Sequence, residues 1–300
     1  MLLVVNPSAR HGLVGEAEAR RAFLAAGVKY RVARTERAGH AAQLAREGSA
    51  GVDAVFTLGG DGTAMEVVGA LVGTGLPVAI LAGGTGNQLV RHLQTPLSIG
   101  RAVPALLGGR AERLDVGRLR DGRRFALTAG FGVDAAMMAG ASAAAKRRFG
   151  VATYVWSGAR ALIRNKRFHV RATVDGVTHE RECVLAMIVN IGSLFGGRIA
   201  AGPDVVADDG MLDLCLFSAR SALEGLDVVR RCATHNFRPH RNMFYARGRE
   251  IGIETSPPAA AQADGDLLPP GALEAIAEPG AALLVRARGS GAFDSRPRGA

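Results

Sequence analysis

Two short segments do most to limit what this chain can fold into: Gly59-Gly60-Asp61-Gly62-Thr63 and Gly83-Gly84-Thr85-Gly86-Asn87. Each follows an apolar run, Ala54 to Leu58 or Pro77 to Leu81, and each leads into a helix-forming stretch, Ala64 to Val72 or the residues from Gln88. An apolar run, a tight glycine turn and then a helix is the repeating unit of a parallel sheet with helices packed on it. The same alternation fills the first third of the chain. Leu2 to Val5 predicts a strand, Glu16 to Ala26 a helix closed by Gly27, Val28 to Ala33 a second strand, and His40 to Glu47 a second helix. Ligands of such sheets sit at the carboxyl ends of the strands, which is where both glycine clusters fall.

Beyond Val116 the pattern changes. Phe168, Val170, Ala172 and Val174 alternate with polar residues, and Asp175-Gly176 supplies a hairpin turn into Val177 to Glu182. Arg124 to Gly130, Val184 to Asn190, Leu212 to Phe217, Ile251 to Glu254 and Ala281 to Ala287 are further strand candidates. Val151 to Arg164 reads as a helix, and Ser256 to Ala261 as a loop. The expected organisation is an α/β domain over residues 1–118, a mainly antiparallel β domain over 119–288 and a disordered tail over 289–300. Three hundred residues agree with a prior of roughly two domains.

Several classes drop out. No apolar stretch approaches the roughly 18 to 20 residues of a membrane helix, and Met1 to Val5 stops at Asn6-Pro7, too short for a signal peptide. The expectation is a cytoplasmic protein. Cys183, Cys215 and Cys232 lack CxxC spacing and lie in apolar runs, which suits buried thiols. The formal net charge of +10 points to anionic partners. Aromatics are only 5%, and no basic run is interleaved with them, which argues against a nucleic-acid surface. A basic cluster from Lys146 to Arg171 leaves an anionic membrane face as a candidate partner, beside the plainer reading of a solvated helix face. No G-x-x-x-x-G-K-[ST] is present, Leu89 stands where a dinucleotide fold needs its third glycine, and neither Ser8 nor Ser193 lies in a G-x-S-x-G elbow.

Backbone N–H groups of a glycine turn, aimed with the positive end of the following helix, suit a phosphate. Thr63 with Glu66, and Thr85 with Gln88, also have capping-box spacing, which would account for those four side chains structurally. Asp61 is left over. A carboxylate beside a phosphate cradle repels the phosphate unless a cation such as Mg²⁺ stands between them.

Asn6 to Arg10, Gly59 to Thr63 with Glu66, Gly84 to Asn87 with Arg91, Leu114-Asp115-Val116-Gly117, Gly130 to Asp134, Asp209 to Asp213 and Asp264-Gly265-Asp266 occur in the order found in the diacylglycerol kinase catalytic-domain family. The chain resembles that family, which includes bacterial lipid kinases and sphingosine kinases, from Leu2 to about Ala287. The resemblance implies an NAD-kinase- or phosphofructokinase-like α/β domain before the β domain, and an ATP- and Mg²⁺-dependent lipid kinase. It makes Asn6, Pro7, Ser8, Ala9, Arg10, Thr35, Gly60, Asp61, Gly62, Thr63, Glu66, Gly84, Thr85, Gly86 and Asn87 the expected ATP-binding positions. Asp61 would act through the catalytic Mg²⁺ with Asp115 near it. Asp209, with the backbone carbonyls of Val206 and Met211, would hold a second, structural Mg²⁺, and Asp266 would be the general base. Asp266 stands where the family usually has glutamate, one methylene and about 1.5 Å shorter. Gln88 stands where Asp is frequent, and Ala9-Arg10 where many members have Ser-Gly. The implied partner is a lipid substrate, with peripheral contact at the inner membrane face, and edge strands of the second domain offer a route to a homodimer. Two alternatives stay open: an NAD-kinase-like phosphotransferase, and a nucleotide- or lipid-binding regulator whose catalysis has decayed through Asp266.

Overall fold

The computed structural model describes residues 1–132, 167–194, 197 and 199–289. It comprises two compact units, Met1–Val116 with the segment from Pro279, and Gly117–Glu278. The chain crosses between them twice, so the segment from Pro279, which a single boundary at 118 leaves with the second domain, packs with the first. The expected helix over Val151 to Arg164, most of the basic cluster around it and the tail from residue 290 lie outside the described residues.

In the first unit, β1 (Leu2–Val5), β2 (Arg31–Arg34), β3 (Val55–Gly59) and β4 (Val78–Ala82) form a parallel sheet in the order β2-β1-β3-β4. Helices α1 (Gly12–Ala25), α2 (His40–Gly48) and α3 (Asp61–Leu71) connect them, and α4 (Gln88–His92) and α5 (Ile99–Leu107) follow. Alternation along the strands separates two apolar faces. Leu3, Val5, Phe56, Leu58 and Leu81 pack with Phe23 of α1 and Ile99, Val103 and Leu106 of α5, while Val4 and Ile80 are buried on the other face. The strand order reverses between β1 and β3, which puts the natural ligand crevice at their carboxyl ends.

Two helices start earlier than their sequences indicate. α1 begins at Gly12 and not Glu16, because the loop before it is wound tightly: a Cβ on Gly12 would lie 2.3 Å from the Asn6 carbonyl oxygen. α3 begins at Asp61, so the glycine cluster is itself the first helical turn. Helix α5 has no counterpart among the expectations, since the internal Pro104 breaks its periodicity.

The second unit is antiparallel, as expected. β8 (Phe168–Val174) and β9 (Val177–Cys183) form the hairpin, with positive φ at Asp175 and Gly176 as its two-residue turn demands. A six-stranded sheet runs β14-β13-β10-β7-β16-β17, made from β7 (Thr128–Phe131), β10 (Leu185–Val189), β13 (Leu212–Phe217), β14 (Met243–Gly248), β16 (Ala261–Ala263) and β17 (Asp266–Leu268). Its inner face packs on β8 and β15 (Glu250–Ser256) through Phe131, Ile188, Leu214, Val170 and Ile253. The strand expected over Arg124 to Gly130 is broken into β6 (Arg124–Phe125) and β7, because the amides between them turn to a side chain described below. Short β11 (Ser193–Leu194) and β12 (Ile199–Ala200) pair with each other, and α6 (Ala222–Ala233) follows β13. Strands β5 (Arg110–Leu119) and β18 (Ala272–Arg286) belong to both units, and the end of β18 lies parallel to β4 through Leu284 and Val78. All three cysteines are free and buried. Among the described residues no helix is long and apolar enough to cross a membrane.

Candidate functional site

Three loops meet at the carboxyl ends of β1, β3 and β4, and each is fixed by atoms of another. Asn6, which follows β1, donates from Nδ2 to the Thr63 hydroxyl at 3.0 Å and accepts the Ser8 N–H on Oδ1 at 3.0 Å. The His11 N–H donates to the Gly83 carbonyl at 3.0 Å, and the Gly83 N–H to the Gly59 carbonyl at 2.9 Å. The close approach of the two glycine loops requires glycine: a Cβ on Gly83 would fall 2.8 Å from the Gly59 nitrogen, and one on Gly84 2.6 Å from the Gly60 Cα. Asn87, at φ 48°, closes the second loop on itself by accepting the Gly84 N–H and donating to the Gly84 carbonyl, both at 2.9 Å.

Asp61 bridges the two glycine loops. Its Oδ1 accepts the Leu89 N–H at 3.1 Å, so it caps α4, while its Oδ2 stands over Gly86, 3.0 Å from where a Cβ would be. The helical ladder of α3 begins with Ala64 N–H to Gly60 carbonyl, which leaves the amides of Asp61, Gly62 and Thr63 ahead of it. A methyl group on Gly62 would meet nothing within 4 Å, and Ser8, Arg10, Gly62 and Thr85 form an exposed rim around half-buried Gly60, Gly84 and Gly86. Free amides at the start of an 11-residue helix, open space above them and one carboxylate at the edge fit a phosphate with its cation.

The capping box expected of Thr63 with Glu66 is not what forms. Thr63 is engaged by Asn6, and Glu66 reaches α2, accepting the N–H groups of Gly39 at 2.9 Å and Ala41 at 3.0 Å. Both side chains serve neighbouring elements because Gly60, not Thr63, precedes the first turn. Glu66 thereby secures the segment that follows Thr35, whose own N–H donates to the Val5 carbonyl at 2.8 Å. Asp115 is buried on β5, and its Oδ1 accepts the Gly280 N–H at 2.6 Å where β18 bends. His92, at the end of α4, has its pKa pushed down to about 4 by burial and then by the nearby Arg286 charge, so its imidazole is neutral.

In the second unit, Asp266 opens β17 as an exposed residue at the tip of a hairpin. That hairpin is anchored from below. Asp264 accepts the N–H groups of Ala126, Leu127 and Thr128 at 2.7 to 2.9 Å, which is what interrupts the strand there. Buried Gln262 accepts the Gly265 N–H at 2.9 Å and donates to the Thr128 hydroxyl. Sequence reasoning assigns no role to Asp264 or Gln262, although a carboxylate before a glycine is a turn signal.

Asp209, expected with Val206 and Met211 at a second Mg²⁺, is already occupied. Its Oδ1 accepts the Met211 N–H at 3.0 Å and its Oδ2 pairs with Arg247 at 3.3 Å. Arg247 also donates to Asp213 at 3.0 Å and to the Asp204 carbonyl. Burial pushes the Asp213 carboxyl up to about 6 in spite of that partner. The one side chain of the expected ligand set is thus shared between a backbone amide and a guanidinium. Among the described residues no three His, Cys, Asp or Glu side chains gather in a metal-binding group.

A family model described as the diacylglycerol kinase catalytic domain matches residues 1–119, and one described as the YegS C-terminal NAD kinase beta sandwich-like domain matches residues 128–286. A Synechocystis protein named only as uncharacterized is 29% identical over 218 residues, 71% of this chain and 50% of the relative. The chain thus spans about half the length of that relative. A Staphylococcus epidermidis protein named "Putative lipid kinase" is 27% identical over 223 residues, 73% of this chain and 72% of the other. A crystal structure titled as a "putative diacylglycerol kinase" from Bacillus anthracis matches with a TM-score of 0.79 at 27% identity, covering 95% of this chain and 94% of that one.

Proposed function

Because the chain belongs to the diacylglycerol kinase catalytic-domain family, we propose that it is a lipid kinase which transfers the γ-phosphoryl group of ATP to a lipid hydroxyl in the presence of Mg²⁺. The observation that carries this reading is the junction of the three loops, with Asp61 spanning the two glycine turns. Phosphoryl transfer through a loose transition state asks for positioning and charge neutralisation more than for covalent chemistry. The amides of Asp61, Gly62 and Thr63 would orient the phosphates, and Arg10 on the rim would add a charge-assisted contact. Mg²⁺, held by Asp61, would supply neutralisation of the phosphate charge. Asp266, on its braced hairpin, would accept the proton of the acceptor hydroxyl.

The test is transfer from labelled ATP with Mg²⁺ onto micelles of diacylglycerol, monoacylglycerol, phosphatidylglycerol or a sphingoid base, with free NAD as a further acceptor. Label on one lipid, absent with Asp61→Asn, supports the reading and names the acceptor. Label on NAD alone replaces it with a nucleotide kinase, and ATP binding without any product replaces it with a ligand-binding regulator.

A further inference from the structure

The second unit holds a cavity of about 340 Å³ beyond the end of β13, at the low end of the roughly 300 to 1,000 Å³ of ligand pockets. Four arginines line it, Arg167, Arg181, Arg220 and Arg241, from four separate stretches of sequence, with Glu182 and Glu224 as its acids. Each acid is matched once: Arg241 pairs with Glu224 at 2.9 Å and Arg167 with Glu182 at 3.4 Å. Glu224 is further committed at the start of α6, accepting the Arg220 N–H at 2.7 Å while its own N–H donates to the hydroxyl of Ser221, which caps the helix. Two positive charges remain. Among the described residues neither Arg181 nor Arg220 has a carboxylate within ion-pair distance. The Arg181 guanidinium is nonetheless held, 4.6 Å above the Phe244 ring, an arrangement that fixes its plane and leaves its N–H edges available. The buried Asn242 contributes to the lining, and its carbonyl accepts the Ser218 N–H at 2.9 Å.

Arginines scattered over a surface separate from one another, whereas these converge on one concavity, where like charges repel unless an anion joins them. Guanidinium forks match the oxygens of a phosphate in number and geometry. We propose that this cavity is a binding site for a phosphate group, held chiefly by Arg181 and Arg220 and distinct from the glycine loops of the first unit. Both the terminal phosphate headgroup of an anionic lipid and soluble phosphate monoesters carry that chemistry. The proposal does not depend on the kinase reading.

The experiment uses the full chain and three variant pairs. Arg181→Gln with Arg220→Gln removes the charge, and Arg181→Lys with Arg220→Lys keeps it without the fork. Arg21→Gln with Arg101→Gln removes the same charge from exposed positions of α1 and α5. All substituted residues are exposed, so thermal unfolding without ligand should be unchanged. Binding of inorganic phosphate and of glycerol 3-phosphate is measured by calorimetry, and of phosphatidylcholine vesicles with and without phosphatidic acid by sedimentation. The glutamine pair should bind phosphate about tenfold or more weakly, the lysine pair at an intermediate level, and the control pair like the parent protein. A matching loss on phosphatidic acid vesicles identifies a headgroup site. A loss confined to the soluble probes identifies a soluble ester. Equal binding by the glutamine pair and the parent with every probe, or an equal loss in the control pair, overturns the proposal.

Discussion

Asp61 is the residue where structure and chemistry have to be separated. Its Oδ1 caps α4 through Leu89, a job an asparagine oxygen can also do. Asp61→Asn should therefore leave the unfolding midpoint nearly unchanged while abolishing phosphate transfer. Asp61→Ala should lose transfer and about 1 kcal/mol as well, the usual cost of a missing cap; urea unfolding beside the transfer assay distinguishes the two. In the sequence, Asp61 stands out because a carboxylate has no business beside a phosphate cradle, but its partner, a backbone amide in the other loop, leaves no mark on composition or spacing. His92 gives a pH dependence. Its folded pKa is about 4 against about 6.5 for a free imidazole, so the unfolded chain takes up the proton first as pH falls. Stability should be full above pH 6.5 and decline toward pH 4, by up to about 3 kcal/mol in total. His92→Gln should flatten that decline in urea unfolding series at fixed pH values, and an unchanged slope would rule out His92 as its source.

At the scale of elements, periodicity serves well wherever one face of a strand is buried, as in Phe168–Val174 and Leu212–Phe217, both of which fold over the expected residues. It fails where an element owes its existence to a neighbour. Helix α6 is capped by the Ser221 hydroxyl, which accepts the Glu224 N–H, while the Glu224 carboxylate accepts the N–H of Arg220 just before it, a signal that periodicity alone passes over. Strand β18 runs through Pro279 and Gly280, residues that ordinarily end a strand, because Asp115 accepts the Gly280 N–H and its first half pairs with β15. The β16–β17 hairpin is likewise held from outside. Asp264→Ala would leave three amides without their acceptor, an expected loss of about 2 to 4 kcal/mol. It should also lower transfer with little change in the KM for ATP, since it loosens Asp266 and touches none of the proposed nucleotide positions. Urea unfolding and steady-state kinetics on that variant read both effects.

For the whole molecule, the two-unit division follows from apolar cores that do not run together, one under the parallel sheet and others on the two faces of the six-stranded antiparallel sheet. The change of pattern near Val116 is visible in the sequence. The return of the chain to the first unit is not, because it depends on a pairing between residues about two hundred positions apart, Leu284 and Val78. Residues 1–118 expressed alone would expose the edge of β4 and leave out Val285 and Ala287, both part of the first core. That fragment should show reduced helical signal and aggregate through its open edge. Fusing residues 279–289 to its end through a flexible linker should restore a cooperative thermal transition, and a fragment that already unfolds cooperatively without them would show that β18 is dispensable to this unit.

The mutual bonding of the three loops also bears on transplantation. Asn6 answers to Thr63, His11 to Gly83, and Asp61 to Leu89, so no loop carries the instructions for its own shape. A glycine-rich segment grafted singly onto another scaffold would arrive without the atoms that set it. All of these bonds fall within the continuous stretch from β1 to α4, but a portable version also needs α5 and the end of β18 to complete the core beneath it, and variation within it has to proceed in matched pairs.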